Sequence, residues 1–374
     1  MSGGLRLETL TTLDELERLE PEWDALVRAM PRPSPFLLNA WLAAWWRVHG
    51  DEGELAVHVA RRDGRLVGAL PLYLRRSRGI RIAAFLGGMG HSHLADVLLA
   101  AGEDASVAAA LAERVARSRI DLADLYGLPG GSRFAAVVAP GRLHVRIRVE
   151  APVLDLPQGW EHAYAEKTSS KTRNSHRRKW KRLEELGRLE VRHLKEPGEL
   201  SAGIVEGQRL HALRWRGQRD ESGLTTERGR AFMREGYRAL AERDVARVVV
   251  LELDGRAIAF NAYLELDGAL HSHRLAYDPE LARHSPGLLC TLRMLELASA
   301  DGVRRVEWLG GTEDYKLQLM DRFEPLHEGL GLARTPQGHA VVAARLGSIR
   351  LRRFLKRSPT LRRLYLRRPA IASS

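Results

Sequence analysis

The sequence predicts an α/β (α+β) fold built twice over, each half a mixed, mostly antiparallel sheet flanked by helices. Three observations predict it. Residues 246–253, 257–266 and 269–277 are apolar or alternating runs joined at Asp254-Gly255 and Asp267-Gly268, dipeptides suited to tight hairpin turns, so they read as a three-stranded meander. Segments at helical spacing, 200–216 and 228–243, precede the meander, and a helix over 288–300 and a strand over 303–309 follow it. The first half runs in much the same order, and 374 residues are enough for two cores.

Along the chain, Leu13, Leu16, Leu19, Trp23, Leu26 and Val27 set one helix over 13–30, which ends at Pro31, Pro33 and Pro35. Residues 36–48 form a second helix whose Trp41, Trp45 and Trp46 read as core. Strands over 55–60 and 66–73 pair about Asp63-Gly64. Strands over 80–86 and 95–99, an alanine-rich helix over 104–117 and a strand over 120–125 complete the first half. Pro152 and Pro157 interrupt the chain, so the expected organisation is an N-terminal domain over 1–155, a basic linker helix over 156–190, a C-terminal domain over 191–335 and a basic amphipathic tail over 336–374.

Composition narrows the function. With 44% apolar and 28% charged residues the chain is of globular type, and no apolar run reaches the ~18 residues of a membrane span. The N-terminus has early acids and no secretion-signal pattern, so a cytoplasmic location is expected, with peripheral contact to the inner face of the membrane through the tail as an addition. A lone cysteine, Cys290, excludes an internal disulfide and a thiolate metal cage, and it reads as core. The net charge of +12 is concentrated: residues 167–182 hold eight Lys or Arg and no acid, residues 345–368 hold ten, and without these the rest carries −6. This describes an acidic body with two basic attachments rather than a nucleic-acid-binding surface. The tail interleaves Leu346, Ile349, Leu351, Phe354 and Leu355 with its cations and breaks at Pro359. That pattern suits an anionic membrane surface, nucleic-acid phosphates or docking on the body.

Several residues stand out for chemistry. His271 and His273 alternate along a strand and share one face, as do His91 and His93 in a glycine-rich segment; with no third ligand evident, no metal is expected. Ser285-Pro286-Gly287-Leu288 opens a helix. It reads either as a helix start, with Ser285 as cap and Pro286 in the first turn, or as an anion site built from unpartnered N–H groups.

The series Arg274-Leu-Ala-Tyr277-Asp278-Pro279, Ser285-Pro286-Gly287-Leu288-Leu289, Trp308-Leu-Gly310 and Tyr315-Lys316 resembles the motifs of CelD-type acetyltransferases of the GNAT superfamily, linked to cellulose biosynthesis and related to the FemABX peptidyl transferases. In the first half, Phe36 with Trp41 to Trp46, Leu70-Pro71-Leu72 and Lys171-Thr-Arg173-Asn174 are similar to the same family. The resemblance covers roughly residues 10–330 and implies tandem GNAT-like domains. It also implies acetyl-CoA or another acyl-CoA as donor and a small-molecule or glycan-precursor acceptor. Donor contacts then fall to Ala276, Tyr277, Ser285, Pro286, Gly287, Leu288 and Lys316, with Arg283 or His284 standing in for the basic or glutamine residue that usually starts the loop. Tyr315 becomes the acid for the leaving thiolate, and Asp278, Glu307 and Asp314 the candidate bases, each with a plain alternative as turn residue, strand residue or helix cap. Lys171, Arg173, Arg177 and Arg178 match the family's basic motif and would meet donor phosphates or an anionic acceptor. His211, Arg214 and Trp215 would wall the acceptor pocket together with His271 and His273. Two alternatives stay open: an aminoacyl-tRNA donor, as in FemABX relatives, and a non-catalytic RNA- or membrane-binding module on the same scaffold.

Overall fold

The computed structural model describes residues 4–88, 92–103, 105–138, 140–214, 224, 226–311 and 313–357, with side chains to residue 351. His91, Trp215 and the tail beyond 357, Pro359 included, lie outside the described residues. The first half opens with β1 (Arg6–Leu10), α1 (Leu13–Glu17), α2 (Glu20–Arg28) and α3 (Asn39–His49). The single helix expected over 13–30 is two, because Pro21, in the first turn of α2, has no N–H to bond back into α1. Next come β2 (Gly53–Leu55), β3 (Val57–Arg62), β4 (Arg65–Leu70), β5 (Leu72–Ser77) and β6 (Ile80–Phe85). Asp63 and Gly64 form the expected turn, both at positive φ (51° and 80°). The strand expected over 66–73 breaks at Pro71, where the chain passes from a small sheet, β1-β3-β4-β7, into the main one. The half closes with β7 (Leu98–Leu99), α4 (Ala105–Arg117), β8 (Leu122–Pro129), α5 (Arg133–Val137) and β9 (Leu143–Asp155).

The second half begins with α6 (Trp160–Lys167) and the basic helix α7 (Ser170–Glu184), then β10 (Leu189–Leu194), α8 (Pro197–Arg214) and α9 (Glu227–Ala241). The expected meander follows as β11 (Ala246–Leu253), β12 (Arg256–Leu266) and β13 (Ala269–Tyr277). After it come α10 (Pro286–Ala300), β14 (Arg305–Glu307), α11 (Asp314–Leu319), β15 (Arg322–Gly331) and α12 (Pro336–Arg357). The structure thus has the two-part α/β (α+β) fold that the sequence predicts.

Eleven strands form one sheet in the order β10-β11-β12-β13-β14-β9-β15-β8-β6-β5-β2. The order mirrors itself about its centre. The last strand of the first half, β9, pairs with β14 of the second; the last strand of the second, β15, pairs with β8 of the first; and β9 and β15 pair with each other, antiparallel, from Arg322↔Val153 to Gly331↔Leu143. Each half therefore finishes its sheet with the other's closing strand.

One core runs through both halves. Trp41 of α3 is fully buried, meets Phe232 of α9 edge-on with centroids 4.8 Å apart, and donates its indole N–H to Ser92 Oγ at 2.9 Å. A second core joins α6, α7, α10 and α11 on the opposite face, with Trp160, Leu183, Leu289, Cys290 and Trp308. The start of the tail docks on the body: Val342 of α12 packs with Ile82, Leu122 and Leu330, and Arg345 bonds Asp124 Oδ2 at 2.7 Å. No helix among the described residues is long and apolar enough to cross a membrane.

Helix α8 approaches the sheet through glycines. A Cβ at Gly207 would lie 2.1 Å from the Phe260 ring, and one at Gly203 would lie 2.5 Å from Leu194. Since α8 carries His211 and Arg214, its height above the sheet sets where those side chains reach. Gly207→Ala must lift the helix or displace Phe260, and overpacking of this kind costs ~1–3 kcal/mol; a fall in melting temperature of several degrees in differential scanning fluorimetry is the expected outcome, and an unchanged value would refute the tight approach.

Candidate active site

The site begins where two parallel strands part. β13 is paired with β12 along its whole length, but with β14 only over Ala269↔Arg305, Leu270↔Val306 and His271↔Glu307. Beyond that point Trp308 N–H bonds Pro152 O at 3.1 Å, Leu309 turns at φ 60° and Gly311 at φ 87°, so the chain leaves β13 and a fork opens. A cavity of about 300 Å³ fills the fork. Ser272 to Leu275 form one wall and Trp308 to Gly310 the other. His211 and Arg214 of α8, Tyr315 and Lys316 of α11, and His93 from the first half close it. The facing edge of β13 has no strand partner there among the described residues.

The first half has the matching pair, β6 and β8, parallel over Ile82↔Leu122 and Ala83↔Ala123. Its fork is closed by the chain itself. Ala95 N–H bonds Gly127 O at 2.9 Å, and a Cβ at Gly127 would sit 3.3 Å from the Leu94 nitrogen.

From the end of β13 the chain passes through Asp278-Pro279 into α10. Ser285 stands at the cap position in a left-handed conformation, φ 56°, with no capping bond from its side chain; its Oγ accepts from Lys179 Nζ of α7 at 3.0 Å. The first bond from α10 back to Ser285 O comes from Leu289 N–H, at 3.1 Å, so the Gly287 and Leu288 N–H groups precede the ladder. Gly287 answers to packing rather than to ligand approach: a Cβ there would lie 2.8 Å from the Tyr277 ring. Arg214 also meets that ring, its guanidinium carbon 4.9 Å from the centroid. Ala276 is buried, and Arg283 turns aside to His284 Nε2 at 2.9 Å.

Tyr315 stands at the base of the fork. Burial, with the Glu313 charge beside it, raises its phenol pKa against a contact with the Thr291 hydroxyl, so the group keeps its proton at neutral pH. Thr291 is itself fixed, donating to Gly287 O at 2.9 Å and accepting from Asn261 Nδ2 at 3.0 Å. Lys316 is a latch on the diverging chain, with Nζ 2.8 Å from Gly310 O and 3.1 Å from Glu313.

The three carboxylates proposed as bases lie elsewhere. Asp278 is buried in its turn, accepting from Glu280 N–H at 3.1 Å and from Arg256 Nη2 at 2.7 Å. Asp314 is exposed at the start of α11 and does not cap it; Glu313 holds that position. Glu307 faces a different cavity, of about 670 Å³, on the far side of the point where the strands part. Burial opposes its charge, yet Arg32, with Nε 2.8 Å from Oε1, and Arg305, at the same distance, hold its carboxyl down at about 2. A group that acidic is a weak proton acceptor.

His271 and His273 share a face as expected but open into different spaces, His271 into the larger cavity and His273 into the fork. Phe36 stands between them, 6.1 Å and 5.4 Å from their ring centroids. Burial lowers His271 to about 4 and His93 to about 3, so both are neutral imidazoles. His273 Nδ1 lies 2.9 Å from Tyr237 Oη. Cys290 is buried, its thiol pushed up by burial.

The basic segment divides. Arg173 closes the end of α6, bonding Ala165 O at 3.0 Å and Thr168 O, whereas Lys171, Arg177 and Arg178 are exposed. Sequence reasoning missed Arg32, Glu313 and Tyr237, and it quoted Arg274 and Trp308 as motif residues without a role. Arg32 lies in a proline-rich loop 275 residues from its partner, which no local pattern reveals.

Residues 170–317 match the acetyltransferase (GNAT) domain family. The matched segment marks the protein as an acyltransferase. The chain is similar over nearly its whole length to solved structures of low identity. FemX aligns at 10% identity and TM-score 0.59 over 86% of this chain and 96% of that one. L-PGS from Bacillus licheniformis aligns at 11% and 0.54 over 89% and 96%. A tandem GNAT protein from the clavulanic acid biosynthesis pathway aligns at 16% and 0.50 over 89% and 100%. At these identities the likeness is one of fold. No curated protein matches the sequence. Among the described residues, no three His, Cys, Asp or Glu side chains are grouped to hold a metal ion.

Glu307 gives a pH signature. Its folded-state value of about 2 lies below the ordinary 4.5, so its ion pairs contribute fully above pH 4.5 and are lost as pH falls toward 2. Urea unfolding of Glu307→Gln between pH 6 and 2.5 is expected to show a shallower acid loss of stability than the wild type; parallel curves would refute the assignment.

Proposed function

We propose that the fork between β13 and β14 holds the acyl-pantetheine arm of an acyl-CoA, and that the enzyme passes the acyl group by direct attack to an amine or hydroxyl of a small molecule or of a polysaccharide or cell-envelope precursor, in the manner of CelD-like acetyltransferases. One observation carries this reading: where β13 and β14 part, a protonated Tyr315 and the β13 wall from Ser272 to Leu275 come into one cavity. The thioester would lie along the edge of β13, whose N–H groups around residues 275–277 polarise the carbonyl. The anionic part of the donor would meet the start of α10 at Ser285 to Leu288, where Lys179 adds a charge.

His273 replaces the three carboxylates as the proposed base. With Nδ1 donating to Tyr237 Oη, Nε2 carries the lone pair that takes the acceptor's proton. The bond from the acceptor nitrogen or oxygen to the acyl carbon forms, the carbon–sulfur bond breaks, and Tyr315 protonates the departing thiolate. His211 and Arg214 stand where they would meet the acceptor. The mechanism needs no covalent enzyme intermediate, since orientation supplies most of the rate.

Acetyl-CoA at a hundred times its Kd should stabilise the protein by ~2.7 kcal/mol, read as a rise in melting temperature, and Ser272→Trp, which fills the fork, should abolish the rise without lowering the melting temperature of the ligand-free protein. No rise with any acyl-CoA would sink the donor reading, and charged tRNA, the donor of the second reading, would be titrated next. With CoA release measured against a panel of amines and amino sugars, His273→Asn and Tyr315→Phe should each lower kcat by ~10²–10⁴ with little change in KM for the donor. Wild-type kcat in either variant would remove that residue from the mechanism.

A further inference from the structure

A third cavity, of about 380 Å³, lies in the groove between α7 and α10, within a turn of the point where Lys179 meets Ser285. Its floor is aromatic. Trp160 and Tyr164 of α6 stack with centroids 4.9 Å apart at 26°, and Tyr164 continues onto His176 at 6.0 Å and 18°, with its Oη 2.7 Å from His176 Nδ1. Trp180 forms the side wall, held by its indole N–H on Glu184 at 2.8 Å and by the Arg293 guanidinium 4.4 Å from its ring. Leu289 and Leu292 add apolar lining, and Glu184 and Glu296 also line the cavity, Glu184 held by Trp180 and Glu296 by Arg293 at 2.6 Å.

The rim is a run of cations. Elsewhere on the surface arginines are commonly matched with carboxylates, as Arg228 is with Asp51 and Glu52. Among the described residues, however, none of Lys171, Arg177, Arg178, Lys179, Lys181 and Arg182 has a carboxylate within ion-pair distance. Six unmatched cations along one helix repel one another, and an anion of high charge density relieves that cost. An aromatic slot beside such a rim has the chemistry of a base and its phosphates. It runs along α10 from Leu289 to Glu296, beginning about one turn beyond Ser285, where the donor's pyrophosphate would leave the fork.

We infer that this groove receives the adenosine bisphosphate end of CoA, with the base against Tyr164, His176 and Trp180 and the phosphates on Arg177, Lys179 and Lys181. The inference rests on acyl-CoA being the donor. The terminal adenosine of a tRNA offers similar chemistry, so the test has an arm for each source. Isothermal titration of the full chain with CoA, adenosine bisphosphate, phosphopantetheine and a single-stranded RNA ending in ACCA would be repeated on Trp180→Ala and on Arg177→Glu/Lys181→Glu. The paired substitution is at exposed positions and leaves the fold intact, and Trp180→Phe keeps a stacking ring. The expected result is at least about tenfold weaker binding of CoA and adenosine bisphosphate by Trp180→Ala and by the paired variant, near-normal binding by Trp180→Phe, and unchanged binding of phosphopantetheine. Wild-type CoA affinity in the paired variant overturns the groove assignment and leaves the donor reading standing, as does weakening confined to the RNA. If the wild type binds neither CoA nor phosphopantetheine, the donor reading falls first and the inference with it.

Discussion

The antiparallel pairing of β9 with β15 is the constraint on which the rest of the molecule depends. Each strand closes the sheet of the other half, so neither half can satisfy its backbone groups alone. Separating the halves would expose two long strand edges at the centre of the sheet, where each N–H and C=O would need a new partner. The relative position of the halves is therefore set by strand register rather than by side-chain packing across a hinge. That register brings His93 and Phe36 of the first half against β13 of the second.

At the point where β13 and β14 part, a buried charge cluster fixes the apex of the fork. Glu307, the last paired residue of β14, is held by Arg32 and Arg305, and Arg305 and Arg32 also reach Glu324 of β15. Buried ion pairs add little net stability, because desolvation consumes most of the attraction, but removing one partner leaves an uncompensated charge. Their effect here is positional. Three elements, the loop before α3, β14 and β15, are tied at the closed end by one cluster of two arginines and two carboxylates. The diverging chain at the open end is pinned by Lys316 on Gly310 O. An opening between two pinned ends keeps its width, which is what a preorganised site requires.

Much of this architecture is written locally in the sequence. Asp63-Gly64, Asp254-Gly255 and Asp267-Gly268 fix their turns because only a few residues tolerate the necessary positive φ, and the helices that follow the 3.6-residue period came out close to their expected bounds. The closing strands did not. The stretch from Leu143 to Val149 alternates apolar and polar residues, a strand signal, yet its side chains are half-buried or exposed, and Pro325 argues against a central strand in β15. Pro325 is tolerated because it pairs with Glu150 on one side while the β8 ladder begins only at Leu326. Of the candidate site residues, Tyr315, His211, Arg214 and His273 line one cavity, whereas Asp278, Asp314 and Glu307 do not; what decides the state of a carboxylate is its partner, and the partner of Glu307 is distant in sequence.

The two halves have diverged along the same structural seam. In the second half the parallel pair opens and stays open; in the first, the segment around Leu94 and Ala95 crosses the equivalent gap and bonds Gly127. A backbone already seated between the strands occupies the groups that a ligand would use, so that gap is filled, and the first half instead forms part of the wall of the second half's fork through His93. Phe36 shows what the wall does. Its ring centroid lies 6.1 Å from that of His271 and 5.4 Å from that of His273, and burial keeps His271 and His93 neutral. The direct transfer proposed above calls for a proton acceptor and a proton donor in one cavity; His273 and Tyr315 line the fork together, and His93 of the first half forms part of its wall.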